Sequence, residues 1–302
     1  MPKFRKLPSP EQQARDAVGR LVKREALSRT PGTTPSNGTV RGVRQYLTQV
    51  ARHIAPDGLE LLDLTPARAD AYLRSRAADL GQKALDGQRL ALQKHLVHVR
   101  GLLPVGGRLD IVRSHKPTHR EGRAYARHQV PMVAARQTPR NALATLVAYA
   151  AGLRAHELLT LARPDERPPD VRPARPEKFD GRPGVDYTVV GKGGLVRLVR
   201  IPDDLAARLE ERRLDEAVRV GDREIRYLSR YDIGGGEAWS RSFSRASMSA
   251  LGWSRGAHGL RHSFAQERMA ELQRGLRYDD ALEVVSQELG HFRPGITREY
   301  LR

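Results

Sequence analysis

The chain of 302 residues contains no cysteine. Disulfides, thiolate metal sites and cysteine nucleophiles are therefore excluded, and the composition fits a reducing cytoplasm. The longest apolar run, 142–153, falls far short of the roughly 20 residues that a membrane-spanning helix needs. The basic start, Met1–Pro10, lacks the apolar core of a secretion signal. No internal repeat is present. Acidic pairs occur at Asp203-Asp204 and Asp279-Asp280, but both open predicted helices, where carboxylates are expected anyway, so no cluster for Mg²⁺ stands out. Lysine is also scarce. Of 53 Lys and Arg residues only eight are lysines, at positions 3, 6, 23, 83, 94, 116, 178 and 192.

What remains is arginine. Against 35 acidic residues the formal net charge is +18, a balance that suits a polyanionic partner. Arginine grips phosphate through a planar fork, so the surface suits a nucleic-acid backbone.

The patterning predicts a mainly α chain with a small antiparallel sheet, in two domains. Helices are expected over Glu11–Arg29, Asn37–Ile54, from Thr65-Pro66 to about Leu80, and over Gln82–Val99, which make residues 1–101 a small helical domain. Residues 102–128 hold Gly106-Gly107, Pro117, three histidines and many cations, and read as a basic linker lying on DNA through Arg113, Lys116, Arg120, Arg123 and Arg127. The second domain, 129–302, opens with a helix capped by Thr138-Pro139 and running to about Leu153. Arg163–Pro183, rich in Pro and Arg, is expected to be irregular. Val185–Val190 and Leu195–Ile201 alternate around Gly191-Lys192-Gly193-Gly194 and predict a hairpin. Helices are expected over Asp203–Ala217, Glu237–Leu251, Gly259–Arg274 and Asp279–Leu289.

Breaking a phosphodiester without a metal requires cations on the non-bridging oxygens, an in-line nucleophile, a base and a donor for the departing 5′ oxygen. Three segments supply such groups. Gly152-Leu153-Arg154-Ala155-His156-Glu157-Leu158 puts an arginine just past an apolar helix. His258-Gly259-Leu260-Arg261-His262 puts His258 and Arg261 three apart at a helix start, where they share a face and the helix N-terminus attracts phosphate. Leu289-Gly290-His291 precedes Tyr300 by nine residues. His258 and His262 are spaced like zinc ligands, but the glutamate of a metalloprotease helix is missing, so no metal is assigned. Lys192 matters because lysine, unlike arginine, can give up its proton; Lys178, in the Pro-rich segment, is the lesser candidate. A free tyrosine titrates near pH ~10, so Tyr300 needs a base or a dense cationic site to attack at neutral pH.

Together these motifs resemble those of the tyrosine recombinases, or phage-type integrases, which pair a G-L-R-x-x-E-L arginine with a hairpin lysine, an H-x-x-R pair, an L-G-H and a C-terminal tyrosine. The close likeness covers 129–302; the N-terminal half agrees only in helix count and position. The resemblance implies that 1–101 is a DNA-binding domain and 129–302 the catalytic one, and that the two domains clamp duplex DNA. The resemblance implies that Tyr300 forms a 3′-phosphotyrosyl bond and that Arg154 and Arg261 hold the non-bridging oxygens. It further implies that His258 assists proton transfer from the tyrosine, His291 hydrogen-bonds the phosphate and Lys192 protonates the leaving 5′-hydroxyl. It implies site-specific recombination of double-stranded DNA by a homo-tetramer through a Holliday junction, in the cytoplasm at the nucleoid, without cofactor or metal, and leaves room for accessory DNA-bending factors. Alternatives are type IB topoisomerase-like or telomere-resolving activity, or a non-cleaving DNA-binding protein of the same fold. One departure is expected to matter. Only Leu301 and Arg302 follow Tyr300, where many family members carry a helix that docks on a neighbour, so Tyr300 is expected on a loosely held segment and the usual exchange of C-terminal segments is in question.

Overall fold

The computed structural model describes residues 7–28, 30, 32–117, 122–291 and 293–302. The chain divides into two compact units, 1–119 and 120–302. Each has its own core.

The first unit is helical. Side-chain caps at Ser9, Ser36 and Thr65 start α1 (Pro10–Lys23), α2 (Asn37–Ile54) and α3 (Pro66–Ser75), each accepting a backbone N–H of the first turn. Pro10 and Pro66 occupy first-turn positions where no N–H is needed. α4 (Gln82–His95) continues into a π-helical turn, Leu96–Arg100. Leu21, Leu47, Val50, Leu73 and Leu92 meet in the core. α1 is shorter than expected, because the chain leaves the helix at Arg24 and Glu25 turns into the left-handed region at φ 54°.

The expected linker 102–128 is largely taken up by the two units. Leu109 is buried in the first core, with Leu103 and Val112 against it. The Ser114 hydroxyl donates to the Leu80 carbonyl at 2.6 Å, and the His115 N–H to that of Ala77 at 2.8 Å. Tyr125 is buried in the second core. Apolar residues spaced through the basic stretch anchor it at both ends, which the charge reading passed over.

The second unit carries the predicted chemistry. α5 (Gln129–Ala134) and α6 (Pro139–Ala150) lead to a 3₁₀ turn, Glu157–Thr160. β1 (Val185–Val190) and β2 (Val196–Ile201) form the expected hairpin, in register from Val185 opposite Ile201 to Val190 opposite Val196. The helix expected over Asp203–Ala217 stops early: α7 spans Asp203–Glu210, and a second antiparallel hairpin follows, β3 (Arg213–Asp222) and β4 (Ile225–Tyr231). Its two-residue turn, Arg223-Glu224, has both φ positive, at 49° and 69°. Asn-Gly ordinarily marks such turns, so Arg-Glu gave no warning. α8 (Gly236–Leu251), α9 (Gly259–Leu272), α10 (Tyr278–Glu288) and α11 (Pro294–Thr297) complete the unit, with a 3₁₀ turn at Arg298–Tyr300. Among the described residues no helix is long and apolar enough to cross a membrane.

Residues 163–183 contain no regular helix or strand, as expected, and their role is now visible. The Asp170 N–H donates to the Val196 carbonyl at 2.8 Å, so the segment runs beside β2. Arg182 makes a two-pronged bond to Glu271 of α9, and Arg175 pairs with Asp280 and Glu283 of α10. Phe179 is buried, and its N–H donates to Glu288 at 2.9 Å. The fully buried Arg268 of α9 bonds Glu288 and the Asp180 carbonyl. The segment therefore ties the first hairpin to α9 and α10.

Candidate active site

The site is built on turns whose backbone only glycine permits. After α6 the chain reverses at Gly152, φ 58°, where a Cβ would lie 2.8 Å from the Phe264 ring. This close approach delivers Arg154 beside Glu157. Glu157 is fully buried and accepts the Arg154 N–H at 2.8 Å, the Arg154 Nη1 at 2.6 Å and the Arg197 Nη2 at 2.7 Å. The Nη1 of Arg261 lies 3.7 Å away. Burial pushes the Glu157 pKa up, but Arg197, Arg261 and Arg154 outweigh it and hold the carboxyl well below the usual range. Glu157 is thus an ionised hub shared by three guanidiniums.

Arg261, in the first turn of α9, is fully buried. Its Nη1 donates to the Gly152 carbonyl and its Nη2 to that of Leu289, the latter at 3.0 Å. Burial and then Arg154 push its pKa down to about 9, which leaves it charged at neutral pH. Its Nη2 also stands 3.2 Å from the His291 Nε2. Because a guanidinium only donates, that nitrogen must accept, and the proton sits on Nδ1, which donates to the Thr297 hydroxyl at 3.1 Å. Burial and Arg261 push His291 down to about 3. His258 keeps an open edge, yet the protein around its ring and then Arg261 push it down to about 4. Both are neutral at pH 7; the two ring nitrogens of His291 are engaged, which leaves His258, at the open edge, to take a proton.

Tyr300 is held in this cluster, contrary to the expectation of a loosely held end. It is buried among Phe264, Val285 and Leu289. Its ring centre lies 5.4 Å from that of His258, 4.7 Å from His262 and 5.0 Å from His291, and the Arg261 guanidinium sits 5.6 Å from it. Gln266 of α9 donates to the Tyr300 carbonyl at 3.2 Å. The spacing of His258, His262 and Gln266 along one face of α9 explains how that helix holds the end of the chain.

The structure brings Arg154, His258, Arg261, His291 and Tyr300 together. Lys192 lies exposed at the tip of the first hairpin, in the turn Lys192–Gly194, and the preceding Gly191 abuts Arg154 and Glu157. Lys178 is elsewhere, half-buried beside the Phe179 ring, where burial lowers its pKa. Of the linker cations, Arg113, Lys116, Arg123 and Arg127 are exposed. Lys116 reaches the Asp79 carbonyl at 3.3 Å, and Arg127 is hydrogen-bonded to Tyr149. The Arg123 carbonyl borders Gly259, and its charge is felt by His258 and His262. Arg120 lies outside the described residues.

Two residues escaped the sequence reading. His262 was weighed only as a metal ligand, yet its ring is the nearest of the three histidines to Tyr300. Arg197 left a readable signal: it shares the inward face of β2 with Val199 and Ile201, where an arginine must be buried and paired.

No protein-family profile and no curated protein matches the chain by sequence. Solved structures do match it. A lambda integrase tetramer bound to a Holliday junction aligns with TM-score 0.60 and 15% identity, over 99% of this chain and 82% of that one. XerH site-specific recombinase in a pre-cleavage complex with its difH substrate gives 0.56 and 15%, over 99% and 94%. The Tn1549 transposon integrase with a circular-intermediate DNA gives 0.54 and 12%, over 96% and 95%. Across almost its whole length, the chain has the fold of the tyrosine recombinases.

Proposed function

We propose that the protein is a site-specific DNA recombinase that cleaves and rejoins double-stranded DNA through a 3′-phosphotyrosyl bond at Tyr300. The observation that carries this reading is the placement of Tyr300 in one cluster with Arg154, Arg261, His258 and His291 of its own chain. Three guanidiniums (Arg154, Arg197, Arg261) against one carboxylate (Glu157) leave a local charge near +2 with the histidines neutral. A phosphodiester carries one negative charge and gains a second as the phenolate attacks, so the surplus suits the transition state better than the ground state.

In this reading the phenol proton passes to the histidine cluster, with His258 the principal acceptor, and the phenolate attacks the phosphorus. Arg154 and Arg261 hold the non-bridging oxygens, His291 supports them, and Lys192 protonates the departing 5′ oxygen. The bond energy is kept in the phosphotyrosine, and a 5′-hydroxyl from the partner duplex reverses the step. No metal or cofactor is called for. The exposed cations Arg113, Lys116, Arg123 and Arg127, with Arg120 beside them in sequence, are proposed to contact the DNA backbone. Strand exchange between two sites calls for four copies, acting on nucleoid DNA in the cytoplasm.

The test uses duplexes enriched from a random-sequence pool by binding to the purified chain, then nicked at successive positions to trap the cleaved product. The wild type is expected to form a covalent adduct, also in EDTA, and Tyr300→Phe none. A wild type without adduct at every nick position refutes the reading. Relaxation of supercoiled plasmid regardless of sequence, without exchange between sites, would point instead to topoisomerase-like activity.

A further inference from the structure

Arg197 enters the chemistry just described only as one of three local charges, yet it is among the most enclosed charged groups of the described residues. Its side chain is 2% exposed. A guanidinium is costly to bury unless its donors are matched, and here both Nη groups have specific partners while the buried Nε has none among the described residues. Its Nη2 donates to the Glu157 carboxylate at 2.7 Å and to the Gly152 carbonyl at 3.3 Å, and its Nη1 to the Glu288 carbonyl at 2.6 Å.

Each acceptor belongs to a different piece of the site. Glu157 holds Arg154. The Gly152 carbonyl also receives Arg261. Glu288 ends α10, three residues before His291. The Arg197 side chain passes so close to Gly290 that a Cβ there would lie 2.7 Å from its Cδ. Arg197 itself stands on the strand that leaves the Lys192 tip. One side chain thus meets the segments that carry Arg154 and His291 and shares the Gly152 carbonyl with Arg261, from behind a fully buried Glu157.

We infer that Arg197 is a positioning residue of the cleavage site, which fixes the relative placement of the Arg154 and Arg261 guanidiniums through the Glu157 carboxylate and the Gly152 carbonyl, without touching DNA. This inference rests on the site's reading as a DNA-cleaving one. Lysine cannot substitute fully, because a single ammonium cannot reach three acceptors spread around a planar fork.

The experiment is a four-chain cycle of wild type, Arg197→Gln, Glu157→Gln and the double variant, with Arg197→Lys beside it, all full-length, on the enriched nicked duplexes. Single-turnover adduct formation is expected to fall about 100-fold in Arg197→Gln and about tenfold in Arg197→Lys, while duplex affinity changes less than about twofold. The double variant should be no slower than the slower single variant by more than about threefold, since both substitutions break the shared Arg197–Glu157 pair. The inference is overturned if Arg197→Gln cleaves like the wild type, if affinity and cleavage fall by the same factor, or if the two substitutions multiply. If Arg197→Gln does not fold, Arg197→Lys decides, and wild-type cleavage by it overturns the inference. A wild type that forms no adduct refutes the functional reading instead. The coupling is then read in thermal unfolding of the same four chains, where additive shifts overturn it and non-additive shifts support it.

Discussion

Replacing Glu157 with glutamine keeps the shape of the hub and removes its charge. In the folded protein the carboxylate is the shared counter-ion of Arg154, Arg197 and Arg261, and the latter two are almost completely buried. A glutamine offers one acceptor oxygen where two are used, and its amide must point N–H groups at a guanidinium. At an effective dielectric of about 20, a unit charge at the 3.7 Å separation of Arg261 and Glu157 is worth about 4–5 kcal/mol before desolvation is considered. One-sided removal from a buried pair costs about 3–5 kcal/mol, and that is the expected loss for Glu157→Gln. The assay is urea unfolding at pH 7, followed by a signal from the second unit such as Trp239 and Trp253. The sign of the pH dependence is also set. Because the folded pKa of Glu157 is depressed, its contribution is full above the unfolded carboxylate range and is lost only as pH falls toward the folded value. The gap between wild type and variant should therefore hold from pH 7 to about 5 and narrow below about 4. A loss under about 1 kcal/mol, or a gap that closes already near pH 6, would refute the picture of an ionised hub.

The remaining expectations concern backbone and protonation. Gly152→Ala forces a side chain into the left-handed region and against Phe264, and should cost about 2–4 kcal/mol; an unchanged unfolding midpoint would contradict the close approach. Glu224→Gly relieves one of two left-handed residues in the β3–β4 turn and should gain about 0.5–1 kcal/mol in urea unfolding; no gain would contradict the turn geometry. His258 and His291 are pushed down to about 4 and about 3, from an ordinary 6.5, so between those values the unfolded chain binds protons that the folded one does not. Stability should therefore be full above pH 6.5 and fall as pH drops through this window, and His258→Asn should flatten part of the slope in pH-dependent urea unfolding. A His258→Asn profile as steep as the wild type's would contradict the assignment for that residue.

The cluster around Tyr300 was legible because its residues lie in short motifs whose spacing follows helix and turn geometry: Arg154 after Gly152, and His258 and Arg261 in one helical turn. The β1–β2 hairpin was legible because Gly191 to Gly194 announce it. The β3–β4 hairpin was not, because its turn is made of Arg223 and Glu224, and the preceding Arg213 to Ala217 carry no clear alternation. The packing of 102–117 was hidden by charge, since three apolar residues among many cations decide where the segment lies. Arg197 and the Arg268–Glu288 pair were hidden for another reason. Their partners are 40 and 20 residues away in sequence, and a long-range pairing of buried charges leaves no local period.

The segment 163–183, fastened to Glu271, Asp280, Glu283 and Glu288, makes β2, α9 and α10 a single stiff block. Stiffness there localises compliance. A displacement of Lys192 that leaves the buried pairs intact is confined to the hairpin tip, where Gly193 and Gly194 follow it with φ of 81° and 83°. The proton donor of the proposed reaction is then a short arm on a two-glycine hinge, mounted on a rigid frame. Its stroke can be shortened by stiffening those two residues, without disturbing the frame.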